Sequence, residues 1–326
     1  TYDLDENKGT TRLWRVSADG ERRPLTSSER SSTKPAISSD GDRLSVLRKP
    51  GGEEPKPQLH VMDLDGGEAE CVTDLPLGVA AAKWMPDGTG LILAVPLLQG
   101  FPSFTATAAE LERRNDAPTE PIVTEWTVYR FWNRWLAGGE VHHLCHLDLA
   151  TGELTDLTPD LDRIIALDDI ETAFDVSPDG REVACSVDIE PDPRRRIRFA
   201  IHTIAIESPG LAVLESADSL PAQQIRPRYS PDGRYLAFGE QHEQDYYADH
   251  VNLASYDRHA QTKSDLAPWW DRSAGGWEYT ADSDLVLHAT NDGSMAVYVL
   301  AHGSDTPVRV TESGFAHGPR PTDGPV

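Results

Sequence analysis

Carboxylates and aromatic rings are concentrated in one short stretch of the chain, residues 240–250. Clustered carboxylates can bind an ammonium group through charge-assisted hydrogen bonds. Tyrosines would add flat apolar walls and hydroxyl donors for a peptide carbonyl. These residue types predict a site for the cationic end of a peptide, and the alternative is a solvated acidic loop. The candidate side chains are Glu243, Asp245, Tyr246, Tyr247 and Asp249.

A second group of candidates is aromatic. Trp132 and Trp135 follow a long segment, about residues 97–125, whose centre is predicted to form a short helix. The two rings could line a peptide cleft. Packing between structural elements is the favoured alternative, because tryptophan buries a large apolar area.

Histidines alternate along another stretch, from His142 to His146. If this stretch is a strand, His142 and His146 share one face, and His143 and Cys145 share the other. A zinc site would need further ligands, and no Cys-x-x-Cys spacing supplies them. The sequence therefore favours histidines that cover a sheet face and predicts neither a metal nor a cofactor.

The elements that must position these residues are marked by a repeated tetrapeptide. The copies are Ser177-Pro178-Asp179-Gly180, Ser230-Pro231-Asp232-Gly233, Ser38-Ser39-Asp40-Gly41, Met85-Pro86-Asp87-Gly88 and Thr280-Ala281-Asp282-Ser283. Serine first, proline second and glycine fourth are the preferences of a type I β-turn. Roughly 40–50 residues separate most copies, which is the period of four-stranded propeller blades. The one larger gap, between Asp87 and Asp179, accommodates a blade that carries the insertion at about 97–125.

Apolar runs flank each turn, and an Asp/Gly hairpin signal follows downstream, as at Asp65-Gly66-Gly67 and Thr151-Gly152. Such runs suit strands buried on both faces. The turns are predicted to join the first and second strands of each blade, and the hairpins to join the third and fourth. The expected fold class is all-β: a β-propeller of antiparallel blades with about five full blades.

Both ends are predicted to be incomplete. Residues 12–26 resemble the outer half of a blade, and the tail from Gly314 is rich in glycine and proline. Residues 1–326 are therefore interpreted as one propeller domain that is a piece of something longer.

Charge and cysteine content limit the partners and the compartment. Thirty basic against 54 acidic residues give a net charge of −24, which disfavours nucleic acid and anionic membranes because both attract basic surfaces. Three cysteines without framework spacing suggest buried thiols in a reducing compartment, and the predicted localisation is cytoplasmic.

Four longer stretches carry a family resemblance: Tyr129-Arg130-Phe131-Trp132-Asn133-Arg134-Trp135, Asp148-Leu149-Ala150-Thr151-Gly152, Pro227-Arg228-Tyr229-Ser230-Pro231-Asp232-Gly233 and Trp270-Asp271-Arg272-Ser273. They resemble the propeller of the prolyl oligopeptidase (S9) family, in the branch of bacterial acylaminoacyl-peptidases and dipeptidyl-peptidases.

This resemblance implies a seven-bladed propeller that caps an α/β-hydrolase domain of the same protein and admits short peptides. In that family the hydrolase domain supplies a Ser-Asp-His triad, and acidic propeller residues of the dipeptidyl-peptidase branch bind the α-ammonium group. The chain departs from the family because it has no Gly-x-Ser-x-Gly nucleophile elbow. No residue is therefore predicted to be catalytic, and the chain alone is expected to be inactive.

The alternative is a free-standing propeller of the TolB or WD40 kind that acts as a protein-binding scaffold, because propellers host both functions. Either interpretation is compatible with a homo-oligomer.

Overall fold

The computed structural model describes residues 2–4, 7–17, 19–27, 30–49, 56–119, 121–167, 169–215, 220–246 and 248–321. These residues form two compact units, Thr1–Thr124 with Tyr129–Asp162, and Glu125–Val128 with Arg163–Val326. Nearly all regular structure is β-strand, which confirms the predicted fold class.

The first unit contains two four-stranded antiparallel sheets, in the orders β5-β6-β7-β8 and β9-β10-β13-β14, and three two-stranded sheets, β1-β2, β3-β4 and β11-β12. Its elements are β1 (Tyr2–Asp3), β2 (Lys8–Gly9), β3 (Trp14–Val16), β4 (Arg22–Pro24), β5 (Ser32–Ile37), β6 (Arg43–Arg48), β7 (Gln58–Asp63), β8 (Glu70–Cys71), β9 (Ala81–Trp84), β10 (Gly90–Leu98), α1 (Phe104–Asp116), β11 (Arg130–Phe131), β12 (Arg134–Trp135), β13 (Glu140–Asp148) and β14 (Leu154–Asp156).

The second unit contains three four-stranded antiparallel sheets, each in sequence order, β15 to β18, β19 to β22 and β23 to β26. A 3₁₀ turn, Ile170–Thr172, precedes them. The strands are β15 (Phe174–Val176), β16 (Glu182–Asp188), β17 (Phe199–Ala205), β18 (Leu211–Val213), β19 (Gln223–Tyr229), β20 (Tyr235–Gln241), β21 (Asn252–Asp257), β22 (Thr262–Leu266), β23 (Ala274–Tyr279), β24 (Leu285–Asn291), β25 (Ser294–Leu300) and β26 (Val308–Arg309).

The five copies of the tetrapeptide join the first and second strands of the five four-stranded blades, as predicted. In each turn the fourth residue donates its backbone N–H to the carbonyl of the first, at 2.8–3.0 Å. In three copies the first residue also donates its hydroxyl to the aspartate: Ser38 to Asp40, Ser177 to Asp179 at 2.7 Å and Ser230 to Asp232 at 2.6 Å. The turn is therefore specified by local contacts, which explains why its sequence repeats.

The second strands form the cores of the blades. All nine residues of β10 are buried, and Leu236, Ala237 and Phe238 of β20 are fully buried. Continuous apolar runs thus lie where both sheet faces are covered.

Helix α1 lies in the connection between β10 and β13, where a short helix was predicted. Ser103 caps its first turn by accepting the backbone N–H of Ala106 at 3.1 Å. Among the described residues, no helix combines the length and apolar character needed to cross a membrane.

Candidate functional site

The acidic segment is the connection between β20 and β21, the second and third strands of one blade. The carboxylate of Asp249 holds this segment through hydrogen bonds to its backbone. One carboxylate oxygen accepts the backbone N–H groups of His242 at 2.7 Å and Glu243 at 2.9 Å, and the other accepts that of His250 at 2.8 Å. Burial raises the pKa of Asp249, but these three donors outweigh burial and lower its pKa overall. Asp249 is therefore committed to holding the loop.

The remaining acidic candidates point outward. Glu243 and Asp245 are exposed, and the ring of Tyr246 is 59% exposed. Asp245 adopts a left-handed backbone conformation with φ of 62°, and its carboxylate accepts a long hydrogen bond from the side chain of Gln244 at 3.3 Å. Tyr247 lies outside the described residues. The loop thus presents two carboxylates and one phenol ring to solvent.

His250 lies at the return of this loop. Its Nδ1 lies 3.0 Å from Oδ1 of Asn252. Its Nε2 is buried and has no hydrogen-bond partner among the described residues. The ring of His250 therefore connects the end of the loop to the first residue of β21.

A buried polar network underlies the loop, and sequence reasoning missed it. Glu240 is almost completely buried, and its Oε1 accepts hydrogen bonds from Gln224 at 2.9 Å and from the ammonium of Lys263 at 2.8 Å. Lys263 also pairs with Glu215 at 3.4 Å. Burial lowers the pKa of Lys263, but these two carboxylates outweigh it and raise the pKa overall. The network fixes the end of β20 from which the loop departs. The only sequence signal was a glutamate at the end of an apolar run.

The tryptophan candidates lie in the first unit, on the small hairpin β11–β12. Trp132 occupies the turn with φ of 51° and is 80% exposed, and Trp135 is 44% exposed. The ring of Trp135 lies 5.6 Å from that of Tyr129. The favoured alternative, packing between elements, is therefore wrong for both tryptophans. The reason is that the hairpin is too short to carry its own layer of packing.

The histidine stretch forms β13. The buried ring of His143 places Nδ1 2.8 Å from the carboxylate of Asp156. Burial, and then the charge of Arg134, lowers the pKa of His142 to about 4. No three His, Cys, Asp or Glu side chains of the described residues are grouped to hold a metal ion. His142 and His143 are therefore buried side chains of the sheet, and His143 contacts Asp156 of the neighbouring strand β14.

Two named proteins with similar sequences are peptidases. The chain is 29% identical over 186 residues to the uncharacterized peptidase YuxL of Bacillus subtilis, which covers 57% of this chain and 26% of YuxL. It is 23% identical over 269 residues to dipeptidyl-peptidase 5 of Porphyromonas endodontalis, which covers 77% of this chain and 36% of that protein. The chain therefore spans only about a quarter to a third of these relatives. No family model matches it.

Solved structures share the fold at low identity. The acylaminoacyl peptidase of Pyrococcus horikoshii superposes with a TM-score of 0.67 at 16% identity, over 96% of this chain and 43% of that one. TolB from Acinetobacter baumannii superposes with a TM-score of 0.54 at 16% identity, over 94% of this chain and 61% of that one. These likenesses show that the chain has a propeller fold, and the named proteins of similar sequence are peptidases.

Proposed function

We propose that this chain is the substrate-selecting propeller of a serine peptidase that cleaves short peptides, with the catalytic triad on an α/β-hydrolase domain of the same protein. The observation that carries the proposal is that the named relatives are peptidases whose similarity covers 57% and 77% of this chain. We assign the selection of peptide substrates to the propeller because recognition residues are commonly found on loops held by rigid scaffolds.

We assign the recognition of a free amino terminus to the β20–β21 loop. Glu243 and Asp245 direct charge outward, while Asp249 holds the loop from within. A free α-ammonium group would pair with these carboxylates, and an N-acylated substrate would leave them without a cationic partner. The ring of Tyr246 would pack against the first side chains of the peptide.

The aromatic hairpin β11–β12 is the second candidate surface for peptides. Trp132 and Trp135 are solvent-exposed rings, which suits contact with an extended peptide. Replacing both with alanine in the native protein is expected to raise KM for peptides several residues long. It should leave kcat/KM for single-aminoacyl chromogenic substrates nearly unchanged.

Fluorophosphonate labelling of the native polypeptide tests whether a serine peptidase is present. We expect a polypeptide heavier than 35.8 kDa by roughly 250 residues or more, labelled at one serine outside residues 1–326. The 326-residue chain alone should not be labelled, because it has no nucleophile elbow. A native protein of 35.8 kDa that neither reacts nor co-purifies with a hydrolase would support the TolB-like scaffold instead.

Paired substrates test the loop itself. In the native peptidase, Glu243→Gln with Asp245→Asn keeps the shape of the loop and removes two charges. For free-amine substrates kcat/KM should fall about threefold to tenfold, since exposed charge pairs are screened by solvent. N-acylated substrates should be nearly unaffected. Asp282→Asn, at an exposed carboxylate in the first-to-second strand turn of the next blade, is the matched control.

Equal losses on both substrate classes would mean that the loop has a structural role. No loss on either would mean that it is solvated surface. Both results leave the labelling experiment unaffected, so failure of the loop assignment is distinguishable from failure of the peptidase assignment.

A further inference from the structure

The hairpin β11–β12 has one outward face and one half-buried face. Arg130 and Trp135 are paired across the two strands, and so are Phe131 and Arg134. Residues paired in this way project to the same side of a sheet. Arg130 and Trp135 are exposed, whereas Phe131 and Arg134 are half-buried. The side chain of Arg130 and the ring of Trp135 therefore share the outward face.

Aromatic rings flank Arg130 on both sides along the chain. The ring of Tyr129, which is 41% exposed, lies 5.6 Å from that of Trp135. Trp132 in the turn is 80% exposed, and its ring lies 6.4 Å from that of Phe131 in an edge-on arrangement. Exposed rings of this kind provide flat apolar area for the side chains of a ligand. Arg130 thus has one ring pair at Tyr129 and another at Trp132.

Arg130 carries an exposed positive charge in a part of the chain without acidic residues. Residues 126–139 contain two arginines and neither aspartate nor glutamate, although 54 of the 326 residues are acidic. Within the described residues Arg130 has no ion-pair partner. Its guanidinium offers five N–H donors in a planar fork, and the acceptor that matches this fork is a carboxylate. The outward face therefore combines apolar rings with one position for a carboxylate.

The base of the hairpin is held in place by backbone contacts. Leu136 and Ala137 donate their N–H groups to the carbonyl of Tyr129 at 2.9 and 3.1 Å, and both side chains are buried. Gly139 packs against the carbonyl of Trp135, where an added Cβ would lie 2.1 Å from the oxygen. The hairpin is therefore anchored, and a ligand would meet rings that are already in place, which lowers the entropic cost of binding.

The order of rings and charge favours an internal acidic residue of an extended peptide over a free C-terminal carboxylate. Successive residues of an extended chain advance by about 3.3 Å, so apolar residues on both sides of an acidic residue would reach the rings at Tyr129 and at Trp132. A C-terminal carboxylate has a neighbour on one side only and would leave one ring pair without contact. Single-stranded nucleic acid also stacks on aromatic rings, but the net charge of −24 disfavours it.

We propose that the outward face of β11–β12 selects peptides in which an acidic residue is flanked by apolar residues. Arg130 binds the carboxylate, and the rings of Tyr129, Trp132 and Trp135 pack against the neighbouring side chains. Arg130 is thus a specificity-determining residue. This inference rests on the proposed function, since it names the class of peptide that the hairpin selects.

Binding of two blocked peptides to the 326-residue chain tests the inference. Both peptides carry N-acetyl and C-terminal amide groups, and they differ only in a central glutamate or glutamine between leucines. Indole and amide NMR signals of residues 129–135 report the contact, and the titration gives the affinity. The glutamate peptide should bind about threefold to fivefold more tightly, because the ion pair is exposed to solvent. This preference should shrink as the salt concentration rises.

Substitutions at Arg130 separate its charge from the shape of the hairpin. Arg130→Gln should abolish the preference for glutamate and leave binding of the glutamine peptide unchanged. Arg130→Glu should reverse the preference in favour of a peptide with a central lysine. Arg22→Gln, at an exposed arginine of the two-stranded sheet β3–β4 in the same unit, is the matched control and should change neither affinity.

Equal binding of the glutamate and glutamine peptides, or no shift at residues 129–135 with either, would overturn the inference. So would tighter binding of a peptide whose only carboxylate is its C-terminus, or of a single-stranded oligonucleotide. Fluorophosphonate labelling of the native polypeptide does not depend on Arg130. A labelled serine without a glutamate preference would therefore refute this inference alone, and a glutamate preference without a labelled serine would refute only the peptidase assignment.

Discussion

The phenol of Tyr229 donates a 2.6 Å hydrogen bond to the carboxylate of Glu182, and so links the first strand of one blade to the second strand of the blade before it. Arg258 completes the link, donating to the same carboxylate at 2.6 Å while its guanidinium lies 5.2 Å from the ring of Tyr229. Tyr229 is nearly buried, so this hydrogen bond is shielded from water.

Tyr229→Phe should lower the free energy of unfolding by about 1–2 kcal/mol, because a hydrogen bond to a charged acceptor is lost. Chemical denaturation measures the change. In the Tyr229→Phe background, Glu182→Gln should lower the free energy of unfolding by less than it does alone. The two changes remove the same hydrogen bond, so their effects should not add. Tyr235→Phe, whose ring contact with Arg234 survives the change, should be nearly neutral.

The same contact predicts a dependence on alkaline pH. Burial, and then the nearby charge of Glu182, raises the pKa of Tyr229. The folded state therefore keeps the phenol neutral while the unfolded state ionises near pH 10. Its contribution to stability should be fully present below about pH 10 and be lost as the pH rises further. If Tyr229→Phe shows the same alkaline unfolding profile as the unmodified chain, this assignment is wrong.

Asp249 should control the order of the loop that follows β20. Its carboxylate accepts two backbone N–H groups near the start of the loop. Asp249→Asn retains one acceptor oxygen, so amide exchange of His242 and Glu243 should become faster. Asp245→Asn, on an outward carboxylate of the same loop, should leave those rates unchanged.

Acid should release the same loop. Because the pKa of Asp249 is lowered in the folded state, its hydrogen bonds stabilise the loop above the unfolded value of about 3.9 and are lost as the pH falls through the folded value. A titration followed by the amide NMR signals of His242 and Glu243 should give a midpoint below about pH 3.9. A midpoint above that value contradicts the predicted direction.

Ser283 is a strained member of the repeated turn. It has φ of 68°, where the other four copies have glycine with φ of 68–78°. A side chain in the left-handed region costs roughly 1 kcal/mol. Ser283→Gly should therefore raise the melting temperature by a few degrees. Gly41→Ser, with nothing within 4 Å of the added Cβ, should lower it for the same backbone reason.

The three cysteines should differ sharply in reactivity. Cys71 is exposed, whereas Cys145 and Cys185 are buried. Burial raises the pKa of Cys185 to about 12 and that of Cys145 well above its usual range, so neither thiol ionises near pH 8. A disulfide reagent should label one thiol per native chain and three after denaturation, and Cys71→Ser should abolish the native reaction.

The blade repeat could be predicted from sequence because its turns are built by contacts within a few residues. Ser177 and Asp179, for example, carry both the turn geometry and its hydrogen bond. Continuous apolar runs then predict the strands on either side. Local interactions of this kind leave a direct trace in the order of residues.

Tertiary structure decided the roles of residues that looked alike. Asp245 and Asp249 are both acidic members of one segment, yet one points to solvent and the other holds the backbone. Glu240, a few residues earlier, is neutralised by Lys263 across the sheet. These differences depend on which distant groups the fold brings near, and sequence order alone does not carry that information.

Exposure was likewise decided by neighbours. Tryptophan is expected to be buried because of its area, but Trp132 in the turn of its hairpin is 80% exposed. The sheet β3–β4 repeats the hydrogen bonds of β7–β8, but among the residues that the structure describes only β7 also pairs with a further strand. The sequence by itself determined the strands and turns of this protein. Which of their edges and faces are exposed was decided by the packing and pairing of the other strands, because burial and pairing require contacts between distant residues.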